Sequence, residues 1–230
     1  MAEKSLASAH KPIKVLDGVP MLIVCAVLVV ALYALGIFNV FPSNTMRYLL
    51  KIFLYITMGE MWNLLSGFTG MTSLGQQTFI GIAGYSVAVF TSTLKMSFWL
   101  GILAGAVIGV VFSLILSFIL FRMRGMYFAI ATWVIAEAIC TAFKSWPYVN
   151  MGGGMSIKAK PYPKTPEIYR MALTLFVVAM IVVYLLLRTK TGLGLTAMRD
   201  DADAASSVGV NIFKSKLLVY VIAAGFTAIA

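Results

Sequence analysis

Residues 63–85 read Asn-Leu-Leu-Ser-Gly-Phe-Thr-Gly-Met-Thr-Ser-Leu-Gly-Gln-Gln-Thr-Phe-Ile-Gly-Ile-Ala-Gly-Tyr. Glycines recur at 67, 70, 75, 81 and 84, hydroxyl and amide side chains fill the gaps, and no charge interrupts the stretch. The chain on either side is apolar. Lying open against lipid, such a segment would leave backbone groups unpaired at high cost. It is expected to be buried in protein, to line a watery cavity, or to lie at the surface. A re-entrant or broken helix beside a solute path is one reading and a plain short loop the other. The G-x-x-x-x-G-K-[ST] pattern of a phosphate cradle is absent.

Composition fixes the surroundings of that segment. Of 230 residues, 61% are hydrophobic and 11% charged, against about 45–50% and about 25% in soluble domains. A soluble protein so apolar would expose aggregating patches, and a bilayer removes the problem. The fold class is therefore an all-α integral membrane protein, a polytopic transmembrane helix bundle. Outward from the opening segment, apolar spans fall at 20–38, 46–66, 78–94, 97–121, 126–143 and 170–187, each near the ~20 residues that cross a bilayer. From Leu217 to Ala230 the chain is apolar for 14 residues, short for a span. Residues 20–230 thus read as about six complete spans and a truncated seventh, in what is expected to be a piece of a longer protein. Residues 1–19 form a polar tail. The first span is read as retained, because a signal peptide's apolar region is shorter and no further spans would follow it. Gly101, Gly105 and Gly109 stand four apart in the fourth span, a ladder that permits close helix approach.

Net charge is +10. The cations are scattered between spans, without the continuous basic face that nucleic acid needs. With the N-terminus inside, the inner segments hold ten cations: Lys4, Lys11, Lys14, Arg122, Arg124, Arg188, Lys190, Arg199, Lys214 and Lys216. The outer segments hold six: Lys95, Lys144, Lys158, Lys160, Lys164 and Arg170. The excess favours a cytoplasmic N-terminus. Residues 144–169 carry Pro147, Gly152 to Gly154, Pro161, Pro163 and Pro166, which rule out a continuous helix through them. Cys25 and Cys140 both lie in apolar runs and His10 in the tail, so neither a disulfide nor a metal site is implied.

Glu60 and Glu137 lie inside spans. Intramembrane carboxylates are functional candidates by default; a salt bridge or a protonated carboxyl is the plainer reading. Lys51, nine residues before Glu60, is too far along the helix to pair with it. Residues 192–211 carry Asp200, Asp201 and Asp203 ahead of Ala204-Ala205, with Gly209 placed to stop a helix. A short amphipathic helix over about 201–208 is expected on the cytoplasmic side. The carboxylates lack the D-x-[DN]-x-[DN]-G spacing of a calcium loop.

These residues resemble a family. Asn63-Leu64, Gly67, Gly70, Ser73-Leu74-Gly75, Phe79, Gly81 and Gly84-Tyr85 are similar to the motif of permease subunits in branched-chain amino acid ABC importers. Arg124-Gly125-Met126-Tyr127-Phe128-Ala129, with Thr132 and Glu137, resembles the next landmark, and Gly152-Gly153 the glycine pair of the long outer loop. Gly192 to Asn211 resembles the cytoplasmic loop that docks the ATPase, with Asp203-Ala204-Ala205 and Gly209 at the E-A-A-x-x-x-G positions and Asp in place of Glu. The resemblance, to the subunit with the longer N-terminal region, covers most of the chain from about residue 60.

It implies an ABC importer permease in a bacterial or archaeal cytoplasmic membrane, with no cofactor of its own. It implies a second homologous permease subunit, two cytoplasmic ATPase subunits that use the ATP, and an extracytoplasmic solute-binding protein. It also implies a chain continuing past residue 230. On this reading the solute-path candidates are Glu60, Asn63, Gly67, Gly70, Ser73, Gly75, Gln76 and Glu137. The docking candidates, in a loop over 188–216, are Arg199, Asp200, Asp201, Asp203, Ala204, Ala205 and Gly209. Three alternatives stay open: a permease for urea or short amides, an ion-coupled transporter with Glu60 and Glu137 relaying protons, and a membrane anchor. Against the second, no internal repeat is evident.

Overall fold

The computed structural model describes residues 19–37, 41–155, 157 and 162–230, with side chains of the first helix from Val27 onward. The tail with His10 and its three lysines, and Lys158, Lys160 and Pro161 of the outer loop, lie outside the described residues. The described residues form α1 (Val19–Ile37), α2 (Ser43–Thr69), α3 (Gln76–Ser92), α4 (Phe98–Leu120), α5 (Met126–Ser145), a 3-10 segment (Pro147–Gly152), α6 (Thr165–Arg188), α7 (Lys190–Asp200), α8 (Ala202–Ser207) and α9 (Ile212–Ile229). No strand occurs among them.

By length and composition α4, α5, α6 and α9 can each cross a membrane. At 27 residues α2 is longer than any of these, but it carries Arg47, Lys51 and Glu60; α3 has 17 residues. Most of the large apolar side chains of α4 and α5 face outward, as lipid-facing helices require.

Three boundaries differ from the sequence reading. The last helix starts at Ile212 and not near Leu217. Asn211 caps it, its side-chain oxygen accepting the Lys214 amide at 3.0 Å, so Lys214 and Lys216 ride on the helix. The sixth span starts at Thr165, before Arg170, because Pro166 occupies the first turn, where its missing N–H costs nothing. The break after α2 is shorter than 67–77. Helix continues through Gly67 to Thr69, stops at Gly70 (φ +70°) and resumes at Gln76. The Gly70 and Met71 amides bond back to Ser66 and Leu65 (3.2 and 3.0 Å), the αL ending that glycine favours.

The glycine ladder of α4 behaves as expected. Gly101 faces Thr91 and Val87 of α3, Gly105 faces the Ala83 backbone, and Gly109 faces Ala228 of α9. All three are buried, so α4 is pressed between α3 and α9. The main core gathers Met61, Leu64 and Leu65 of α2 with Phe79, Leu120 and Tyr220. A second core holds α6 to α1 and α2. There Tyr169 is fully buried, packs on Phe53 and donates its hydroxyl to the Leu32 carbonyl at 3.2 Å.

Candidate functional site

The break at 70–75 is the centre of the candidate site. Its backbone groups need partners inside the membrane domain, and flanking helices supply them. Trp62, two turns before the end of α2, donates its indole N–H to the Ser73 carbonyl at 2.9 Å. The Leu74 amide bonds to the Thr132 hydroxyl of α5 at 3.1 Å, and that hydroxyl donates to the Ala129 carbonyl at 2.8 Å. Gly75 is packed so tightly on Thr132 that a Cβ there would stand 2.5 Å from the Thr132 carbonyl oxygen. Ser73 and Gly75 are buried, whereas Leu74 is exposed. Beyond the break, the amide nitrogen of Gln76 is buried without a partner.

The end of α2 is held from loop 188–216. Asn63 lies across Gly67 one turn later, in space that a side chain on Gly67 would fill. The Gly67 carbonyl accepts a hydrogen bond from Arg199 Nη1 at 3.1 Å, and the Arg199 stem packs beside Gly70, its Cγ 3.3 Å from where a Cβ would stand. Arg199 also grips Asp200, its Nε and Nη2 at 3.0 and 2.9 Å from one carboxylate oxygen. Loop 188–216 is therefore ordered into α7 and α8, where the sequence reading expected a single short helix.

The three aspartates do separate things. Asp200 orients Arg199. Asp201 caps α8, accepting the amides of Asp203 and Ala204 at 2.9 and 3.0 Å. Asp203 pairs with Arg124, at the turn into α5, at 3.6 Å. Ala205 is buried in the main core, while Ala204 is exposed. Gly209 (φ +92°) ends the helical turn as the sequence suggests, its amide bonding to the Ser206 carbonyl. Val208 and Leu193 are 80% and 74% exposed, the apolar points this loop offers to a partner; the acidic cluster drew attention away from them. A cleft of about 300 Å³ lies between this loop and the break, lined among others by Gly70, Arg124, Arg199, Asp203 and Lys216.

The candidate path residues thus split. Gly67 and Gly70 meet loop 188–216 through Arg199, with Asn63 packed on Gly67; Ser73 is held by Trp62 of α2, and Gly75 packs on Thr132 of α5. Glu60 sits half-buried on α2, and among the described residues it forms no ion pair. Glu137 is exposed on α5 and lines a different cavity, against α3. Sequence reasoning gave Trp62 no role and noted Thr132 as a family landmark alone. An indole just ahead of a glycine-rich break was the available signal for Trp62; nothing in the local sequence pointed to Thr132.

Residues 44–230 match the family profile described as branched-chain amino acid transport system / permease component. Two curated relatives, from Salmonella typhimurium (strain LT2) and Escherichia coli (strain K12), both bear the name high-affinity branched-chain amino acid transport system permease protein LivM. Each is 25% identical over 207 residues, covering 77% of this chain and 49% of the relative. The chain spans about half the length of the curated relatives it matches. No solved structure matches it.

Proposed function

Since the chain belongs to the permease-component family of branched-chain amino acid transport systems, we propose that it forms half of the translocation path of an ATP-driven importer for branched-chain, aliphatic amino acids. The chain is a multi-pass membrane permease and not an enzyme. ATP hydrolysis then belongs to two cytoplasmic ATPase subunits. A second, homologous permease completes the path, and an extracytoplasmic solute-binding protein delivers the solute. The setting is a bacterial or archaeal cytoplasmic membrane, with the N-terminus inside.

One observation supports this reading above the others: the cytoplasmic loop is bonded to the end of α2 before the helix break and, separately, to the foot of α5, which itself holds the break. Arg199 holds the Gly67 carbonyl before it, and Asp203 pairs with Arg124 at the foot of α5, whose Thr132 holds Leu74 within it. An ATPase seated on Val208 and Leu193 would move α7 and α8. The two links would carry that motion to the break, a two-state element biased by ATP. An anchor would need no such linkage.

The docking half is tested at Gly209. Its φ of +92° strains any side chain, and no atom lies within 4 Å of an added Cβ, so Gly209→Leu distorts the loop without a clash in the core. Membrane insertion should persist while recovery of ATPase subunits on the purified permease falls; unchanged recovery overturns docking at this loop. Uptake in energised vesicles lacking ATP would reassign the protein as ion-coupled.

A further inference from the structure

A cavity of about 260 Å³ lies between α3 and α5, just beyond the break. It is close to the small end of the range for ligand pockets, about 300–1,000 Å³, a size for a small solute. Gln77, Thr78 and Tyr85 of α3 line it, facing Glu137, Cys140 and Lys144 of α5. Glu137 and Lys144 are seven residues apart, so they fall on nearly one stripe of α5, about 10.5 Å apart along its axis. Lys144 keeps its place because Gly152, in the 3-10 segment beyond α5, leaves room for its stem. A Cβ on Gly152 would stand 3.0 Å from Lys144 Cγ, and its φ is +75°.

Three unmet demands converge here. Glu137 and Lys144 are both exposed, and neither forms an ion pair among the described residues, so each charge is open to a ligand. They stand too far apart on the stripe to satisfy each other as i,i+4 neighbours do. Thr78 is 5% exposed, lines the same cavity, and its hydroxyl has no hydrogen-bond partner; buried hydroxyls are normally bonded. The rest of the wall is apolar and aromatic, with Tyr85 stacked on Phe143 at 4.7 Å. A helix-ending lysine and a stray carboxylate would account for the charges singly, but not for the orphaned hydroxyl between α3 and α5.

We infer that this cavity is a transit site for a small zwitterion with an apolar tail, in which Glu137 takes the ammonium, Lys144 the carboxylate, and the Tyr85–Phe143 wall the tail. The inference rests on the reading of the chain as an amino acid permease and adds where on this chain the solute pauses.

Cys140 lies on the same wall and is exposed, so it reports occupancy. The assembled transporter, with Cys25→Ser in place, is reconstituted into liposomes, and alkylation of Cys140 by N-ethylmaleimide is timed by mass spectrometry. L-leucine at about four times its Kd should slow alkylation about fivefold, the factor of one plus ligand over Kd. Isopentylamine, which lacks the carboxylate, and 4-methylpentanoate, which lacks the ammonium, should not slow it. Glu137→Gln and Lys144→Met should each remove the leucine protection, while the variants still assemble with the ATPase subunits and Cys140 keeps its unliganded alkylation rate. A preparation that imports leucine but shows no protection overturns the transit site alone. A fully assembled preparation that imports no aliphatic amino acid overturns the proposed function and this site with it.

Discussion

Arg199 donates to the carbonyl oxygen of Gly67 across 132 positions of sequence, at 3.1 Å. The acceptor lies in the last turn of α2, where helix carbonyls lack partners of their own and the dipole favours a cation. The bond is therefore both a helix cap and a strut between loop 188–216 and the break.

Replacing Arg199 with Met keeps the stem beside Gly70 and removes the strut. Thermal stability in detergent should fall by no more than about 1.5 kcal/mol, the ordinary worth of one such bond, because the side chain is partly exposed. Solute imported per ATP hydrolysed should drop far more. Arg199→Lys should not restore it, since an ammonium cannot hold both Asp200 and Gly67 in the fork geometry. An unchanged transport-to-hydrolysis ratio in Arg199→Met refutes the strut.

Thr132 is 3% exposed and both accepts from Leu74 and donates to Ala129. Thr132→Val preserves shape and strands the Leu74 amide. Destabilisation of about 0.5–1.5 kcal/mol follows from losing this bond, since Leu74 is exposed and its amide is not fully desolvated. Thr132→Ser should recover most of it, as a thermal-shift series would record.

Gly105 and Gly59 make a matched comparison. A Cβ on Gly105 would press on the Ala83 carbonyl at 3.1 Å and a valine would force α3 and α4 apart, whereas a Cβ on Gly59 meets nothing within 4 Å. Gly105→Val should lower the unfolding midpoint and cost about 1–3 kcal/mol of overpacking. Gly59→Ala in the isolated chain should leave the midpoint unchanged or raise it by up to about 1 kcal/mol, through lower flexibility of the unfolded state.

Arg124 and Asp203 pair at 3.6 Å with side chains 79% and 84% exposed. Exposed pairs contribute about 0–1 kcal/mol, so Arg124→Asp should barely change stability. Its cost should appear in ATP-driven uptake, and the added exchange Asp203→Arg should restore that uptake in part. Failure of the double variant to exceed the single ones would show that the pair transmits nothing.

Much of the bundle was readable from residue order, since apolar runs of about 20 residues and a four-spaced glycine ladder have few other uses. The short helix α8 was readable too, because Asp201 and Gly209 are local start and stop signals acting within a few residues. Legibility failed where a partner is distant or a rule has an exception. Gly67 looked like loop, yet it stays helical because Asn63 fills the space its missing side chain leaves. Pro166 looked like a breaker and instead begins a helix. Lys214 and Lys216 made the start of α9 look like loop, although Asn211 had already capped it. Nothing in the local sequence joins Thr132 to Leu74, or Lys144 to Gly152; those pairings exist only once helices have packed.

The Thr132–Leu74 bond also orders events in time. A ribosome releases Leu74 first and Thr132 only 58 residues later. During that interval the Leu74 amide lacks its α5 partner. Either water, lipid headgroups or an insertion chaperone must shelter it until α5 arrives. Slowing translation between residues 75 and 132 should therefore expose nascent chains to membrane proteolysis at the break. The same slowing placed after α5 should leave them intact.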